Sequence, residues 1–456
     1  MKKIVKTILC VLCLAAILLS MTGCRIVLAV REKEVVKLVE KSSLSTGTLG
    51  TGLGSEGAQE VEEPKLSGEL KMQVFTNESG RHSDAWTNVV NAFEEATGIR
   101  VTLIMGSQVN TQYSAAWLAG ESPADIVWIA GNGIADEDME KSGMFYDLTS
   151  FLQEATIYGT DAKIVDKVNT GVLPERTIYR LPLMNSIQGM WYDARLIEKP
   201  PVNFDEYMQV AEELSKQGIA GMTYPGIYAD YNTWALIMPA VAAYGVEFFE
   251  QVASGQPEAF LDERFAAVLT RYKEYCDAGY LLKGSTSADH TSSQLNWLNN
   301  QAGFLTNGLW LEAEMAEYIP EDFQMRFCAS PLIDSTQKPT LIVMGNSLAV
   351  SSKTQNLENA LTFLRFIYRD DVQLEYMSKY GYLSALKDVD YTDAELTDVA
   401  RSTLDYYTSG EVNVINKRVT WTSLINNTLK QVINDLGSGA MTVEEACQLL
   451  YEDAKR

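Results

Sequence analysis

From Leu66 onward the chain alternates short period-two apolar runs with stretches of helical spacing. Residues 69–75 alternate apolar and polar side chains and predict a strand that ends in a polar loop, residues 76–83. Trp86, Val89, Val90 and Phe93 then recur at helical spacing over residues 86–97, and Gly98 stops the helix. Residues 100–105 predict a second strand, 111–119 a second helix and 124–129 a short apolar strand bounded by turn residues. This β-α-β-α-β order predicts a parallel, helix-covered sheet. Ligands of such sheets bind beyond the carboxyl ends of the strands, here residues 77–81 and 128–133.

The pattern resumes after Tyr179-Arg180-Leu181-Pro182. Residues 188–193 read as a strand, and residues 204–217 as a helix with Tyr207, Val210, Ala211 and Leu214 on one face. Helices are predicted at 233–244, 259–278 and 292–300. A strand at 302–306 runs into Asn307-Gly308-Leu309-Trp310, a strand at 340–344 precedes Gly345-Asn346, and helices close the chain. No repeat of fixed period is present.

The first 24 residues follow another pattern. Lys2, Lys3 and Lys6 precede an apolar run at residues 8–19, the signature of a secretory signal peptide and too short to span a bilayer. The segment ends Leu19-Ser20-Met21-Thr22-Gly23-Cys24, which resembles a bacterial lipobox and implies Cys24 as the lipidated mature N-terminus. Residues 25–65 read as a tether, Ser/Thr/Gly-rich at 42–57. Gly52-Leu53-Gly54-Ser55-Glu56-Gly57 matches G-x-G-x-x-G literally. It lacks the strand before and helix after that a dinucleotide site needs, and is read as linker.

Composition narrows the function. The 456 residues are enough for two or three domains, and 46% hydrophobic content excludes a disordered chain. A net charge of −23 repels phosphate backbones, so nucleic acid is not expected as a partner. Cys10 and Cys13 leave with the leader. Cys276, Cys328 and Cys447 are too few and too dispersed for a disulfide framework or a zinc site, and are expected as buried thiols. With only His82 and His290 there is no HExxH, and neither G-x-S-x-G nor a P-loop is present. Residues 388–395 lack the sixth-position glycine and the glutamate spacing of a calcium loop. Neither metal nor cofactor is expected.

Several motifs in order carry a resemblance: the lipobox, the tether, Phe93-Glu94-Glu95-Ala96-Thr97-Gly98-Ile99-Arg100-Val101, Pro123-Ala124-Asp125-Ile126-Val127 and Tyr179-Arg180-Leu181-Pro182. Trp191-Tyr192-Asp193, Ala302-Gly303-Phe304 with Asn307-Gly308-Leu309-Trp310, and Asn359-Ala360-Leu361-Thr362-Phe363-Leu364 follow. Together they resemble the extracellular solute-binding proteins of bacterial ABC importers, the family that includes maltose-binding protein. The resemblance implies a two-lobed α/β fold of the type II periplasmic-binding-protein kind, with ligand held in the cleft between lobes. One lobe would be residues 66–183 plus about 340–405, the other about 184–339 plus 406–456. Chain crossings would lie near 182–186, 338–340 and 408–411. It further implies a monomer without enzymatic activity, lipid-anchored on the outer or periplasmic side of the cell membrane. Such a protein would capture a mono- or oligosaccharide and deliver it to ABC permease subunits by hinge closure. Two alternatives stand beside it: a surface-anchored carbohydrate-active enzyme, which turnover would reveal, and a receptor presenting ligand to a membrane sensor.

A sugar site needs flat aromatics for stacking and short polar groups for hydrogen bonds. The aromatic candidates are Trp128 after a strand end, Tyr228, Tyr231 and Trp234 in the Tyr-Ala-Asp-Tyr-Asn-Thr-Trp stretch, Trp310 and Trp421; core packing is the alternative for each. The polar candidates are Glu78 and Arg81 after the first strand, Asn132, Asn185 at the first crossing, Asp230, and Asn346, which otherwise makes a turn. Trp86, Trp117, Trp191 and Trp297 sit on regular patterns and are assigned to the core.

Overall fold

The alternation at the head of the folded part forms a parallel three-stranded sheet. In a computed structural model of the chain, residues 59–76, 83–106, 115–129, 136–169, 173, 177–387, 389–392, 394–416 and 422–456 are described. The strand β1 (Gly68–Phe75) lies between β2 (Ile99–Gly106) and β3 (Ile126–Ile129), parallel to both. Helix α1 (Ser83–Thr97) buries Trp86, Val89, Val90 and Phe93, the residues the spacing selects. It ends where Gly98, at φ +84°, returns its N–H to the Glu94 carbonyl. Of the helix expected at 111–119, residues 115–118 are helical and 111–114 lie outside the described residues. The signal sequence, Cys24 and the tether through residue 58 also lie outside them.

The last residues expected as tether are docked. Glu60 bridges to Thr160, Val61 N–H donates to the Gly159 carbonyl, and Glu63 pairs with Arg365. The folded body therefore begins by residue 59, because backbone and ionic partners downstream fasten a segment whose own sequence carries no periodicity.

Two long strands then join the lobes. The strand β4 (Leu181–Asp193) is buried along all 13 residues, and β8 (Thr340–Val350) runs antiparallel to both β3 and β4. The sheet order is β2-β1-β3-β8-β4-β6-β5, with β6 (Ala302–Gly308) and β5 (Ala220–Thr223) on the far side. Three short strands attach to this path: β7 (Met325–Cys328) and β9 (Leu383–Ser384) to β4, and β10 (Asn413–Ile415) to β8. Pairing with β3 ends at Ile129–Ser347 and pairing with β6 starts at Gln188–Gly308. Between those points β4 and β8 cross as a ribbon.

This ribbon corrects one expectation. The turn expected at Gly345-Asn346 is continuous strand, and the stretch at 182–186 lies within the same ribbon. Proline lacks a ladder donor, but the register shifts between Pro182 and Met184, so a bulge at Leu183 absorbs the break.

Each side of the ribbon has its own core. On the first side, Phe93 meets Phe363 and Phe366 edge-on at 5.0 and 5.3 Å, joining α1 to α6 (Leu357–Ile367) beneath β1. On the second, Tyr207 of α2 (Phe204–Lys216) stacks on Tyr275 of α3 (Glu263–Asp277) at 4.1 Å. Gly221 passes so close that a Cβ there would meet the Tyr275 hydroxyl oxygen at 2.0 Å. A third cluster gathers Trp191, Trp297 and Leu305 with Ala400 and Leu404 of α7 (Asp398–Thr408). Residue 405 lies inside α7. Helices α8 (Ser423–Ser438) and α9 (Val443–Ala454) close the chain over the α2–α3 core, α9 starting with a Thr442–Glu445 capping box. Cys276, Cys328 and Cys447 are free thiols, and burial pushes Cys276 up to about 12 and Cys447 to about 11. Among the described residues no helix is long and apolar enough to cross a membrane.

Candidate functional site

Paired residues of antiparallel strands share a face, so the ribbon has two distinct surfaces. One carries Met184 with Asn346, Ser186 with Met344, and Gln188 with Gly308. Trp310 covers this face. A Cβ on Gly308 would fall 2.2 Å from the indole, so glycine is what lets the ring lie flat against the strand.

Around Trp310 the aromatics form a wall from one lobe to the other. Tyr231 meets it edge-on at 6.1 Å, and Tyr382, a member of the first core, lies 6.3 Å from it at 34°. Tyr231 is set by an irregular helix, since Thr233–Ile237 is π-helical and Met238 N–H returns to the Thr233 carbonyl. Pro239 has no N–H for the Ala235 carbonyl, which accounts for the widened turn. The Tyr-Ala-Asp-Tyr-Asn-Thr-Trp stretch is therefore helical rather than a loop, a correction that also moves Trp234.

Beneath the wall lie buried polar atoms with no hydrogen-bond partner: Ser186 Oγ and Gln188 Oε1 on the ribbon, and Thr233 Oγ1 on the wide turn packed against β4. Leaving such an atom unpaired costs on the order of 1–3 kcal/mol, and Ser186 and Gln188 share one ribbon face. Neighbouring Asn232 is satisfied, accepting from Thr306 and donating to the Tyr272 hydroxyl.

Behind Tyr231 sits a polar network. Its hydroxyl is 2.9 Å from His290 Nε2, His290 Nδ1 is 3.5 Å from Glu314, and Gln294 donates to Glu314 at 2.8 Å. These groups come from α4 (His290–Leu298) and α5 (Leu311–Met315). Burial holds the Tyr231 phenol well above its usual range; the charges of Glu314, Asp230 and Tyr382 add to this, and the Trp310 hydrogen bond opposes it. Nearby, Asp230 pairs with Lys430 at 3.6 Å, and the Lys430 ammonium lies 5.6 Å from the exposed Tyr228 ring.

The candidates therefore divide. Tyr228, Asp230, Tyr231 and Trp310 converge, and Asn346 lies on the same ribbon face. Trp128 and Trp234 are 2% and 4% exposed and sit in the first and second cores, where in this conformation neither offers a ring face. Trp128 packs against Phe75 and Trp86 because its short strand is buried on both faces. Asn185 points to the opposite face, where its amide donates to the Ser384 carbonyl at 2.9 Å beside a cavity of about 400 Å³ lined by Asn169, Tyr391 and Tyr407. Glu78, Arg81, Asn132 and Trp421 lie outside the described residues. His290, Gln294, Glu314, Tyr382, Gln188 and Thr233 were not foreseen.

A family model for bacterial extracellular solute-binding proteins matches residues 79–374, well over half of the chain. The chain belongs to that family. Membership makes this solute-binding protein a binder of small molecules and not an enzyme. Solved structures share its two-lobed fold. A chitin oligosaccharide binding protein aligns with a TM-score of 0.66 and 18% identity over 85% of this chain and 98% of its own. A solute-binding protein from Thermotoga lettingae bound with α-D-tagatose gives 0.64 and 18% over 85% and 99%. RafE, a Streptococcus pneumoniae protein, in complex with raffinose gives 0.65 and 17% over 84% and 98%. No curated protein matches by sequence.

Proposed function

We propose that this solute-binding protein is lipid-anchored through Cys24 at the outer face of the cell membrane, captures a mono- or oligosaccharide, and passes it to an ABC importer by closing its two lobes. The observation that carries the reading is the ribbon face itself: an aromatic wall of Tyr231, Trp310 and Tyr382 above the unpaired polar atoms of Ser186, Gln188 and Thr233. Sugars present apolar C–H faces to rings and hydroxyls to such atoms, so one ligand class answers both features. Sugar ligands in two of the structurally similar proteins support the same class. Closure follows from the wall's origin, because a ligand touching both Tyr231 and Tyr382 stabilises the arrangement that brings the lobes together. In this reading the first lobe takes residues from the docked segment at 59 to the ribbon and from the ribbon to β9, and α7 belongs to the second.

The test is a thermal-shift panel of raffinose, tagatose, and chito- and xylo-oligosaccharides. A ligand at 100 times its Kd adds about 2.7 kcal/mol to stability, a shift of several degrees. Stabilisation by at least one sugar, without its conversion, is the expected result; a flat panel counts against a carbohydrate ligand.

A further inference from the structure

The hydrogen-bonding sense of Tyr231 is fixed by atoms two residues removed from it. A carboxylate only accepts, so the Gln294 atom 2.8 Å from Glu314 Oε2 is the amide nitrogen. That same nitrogen lies 3.4 Å from His290 Nε2, and an amide NH₂ has nothing to accept with. On the other side of the ring, Glu314 Oε1 faces Nδ1 at 3.5 Å. Both neighbours select the tautomer with hydrogen on Nδ1 and a lone pair on Nε2. The Tyr231 hydroxyl, 2.9 Å from Nε2, then donates its one hydrogen to the imidazole; one lone pair accepts from the Trp310 indole, which leaves the other for acceptance. Because burial keeps this phenol protonated, the hydroxyl never becomes an anion at working pH.

We propose that His290, oriented by Glu314 and Gln294, is a positioning residue that makes Tyr231 a hydrogen-bond acceptor toward the ligand. The site would then prefer a solute offering a hydroxyl donor at that point over one offering a carboxylate. The inference rests on the carbohydrate reading above. Protonating the imidazole puts a hydrogen on Nε2, which donates to the Tyr231 oxygen and reverses what the hydroxyl presents. The charged and titratable groups around the ring are Glu314 from α5, Asp289 at the head of its own helix, and Asp230 with Lys430, together with the phenols Tyr228 and Tyr231.

Two measurements test it on the whole protein. In ¹⁵N-histidine-labelled protein, whose only other histidine signal is identified with His82→Gln, His290 should carry its hydrogen on Nδ1 at pH 8 and on both nitrogens in acid. An Nε2–H tautomer at pH 8 overturns the relay. In the second, the affinity of the best-binding sugar of the panel is followed from pH 8 to pH 5. The wild type should weaken about three- to ten-fold, the worth of one reversed hydrogen bond, while His290→Gln and Tyr231→Phe stay flat. A flat wild type, or variants that weaken equally, overturns the positioning role. If no sugar of the panel binds, the carbohydrate reading fails, and the tautomer measurement still decides whether the relay exists.

Discussion

Glu63 and Arg365 stand 302 positions apart in sequence and meet in a two-armed, largely buried ion pair. The Arg365 guanidinium also donates to the Thr156 carbonyl at 2.8 Å, and Gly159 N–H donates to Glu63 at 3.1 Å. The segment before β1 is thus held by helix α6.

Glu63→Gln should therefore cost about 1–3 kcal/mol, because the charged hydrogen bonds of a mostly buried guanidinium are weakened while the shape is kept. Burial opposes ionisation of Glu63, but the Arg365 hydrogen bond, the Gly159 N–H and the Arg365 charge together outweigh it and hold the carboxyl below its ordinary value. A depressed carboxylate contributes stability above its unfolded pKa and loses it as pH falls through the folded one. The wild-type advantage over Glu63→Gln should be present at neutral pH and disappear in acid below the ordinary carboxylate range. Urea melts of both proteins across pH would show it; a gap that persists unchanged into strong acid would contradict the pairing.

Closure of the lobes predicts compaction. Small-angle scattering with a stabilising sugar should give a smaller radius of gyration than without it, since in the proposed function a ligand shared by Tyr231 and Tyr382 holds the lobes together. An unchanged radius would indicate a rigid body that binds without hinge motion.

Membrane attachment depends on one atom in the proposed function, the Cys24 thiol. The full chain expressed in a bacterium should partition into the detergent phase, and Cys24→Ser should move to the aqueous phase while binding sugar unchanged. Equal partition of the two forms would sink the anchor.

How much of this was legible in sequence follows from how local each signal is. The face of α1 was readable because Trp86, Val89, Val90 and Phe93 need only one helix and one sheet to explain them. The ribbon was not. Pro182 and Gly345-Asn346 look like breaks to any local rule, and only pairing with a strand some 160 residues away, eased by the bulge at Leu183, makes them continuous. Tyr231 and Trp234 stood three apart in one stretch, and nothing short of the π-turn could separate the residue facing Trp310 from the one entering the core. His290, Gln294 and Glu314 are unremarkable singly; their chemistry exists only where α4 and α5 meet.

That separation gives the sharpest test of the site. Trp310 is partly exposed, rests on a glycine, and meets Tyr231 and Tyr382 at ring distances suited to a shared platform. Its removal deletes one stacking face, worth on the order of 1–3 kcal/mol, so Trp310→Ala should weaken sugar binding about 5- to 150-fold. Because Trp310 contributes only part of its surface to the first core, the unliganded melt should fall modestly. Trp234, at 4% exposure inside the second core, should behave in the opposite way. Trp234→Ala leaves a large cavity and should cost about 3–5 kcal/mol of stability, with binding by the surviving folded protein close to wild type. Calorimetric melts and titrations of the two variants side by side distinguish these roles. If Trp234→Ala loses affinity at unchanged stability while Trp310→Ala melts far lower, the ligand stacks on the other side of the π-turn and the ribbon face is not the site.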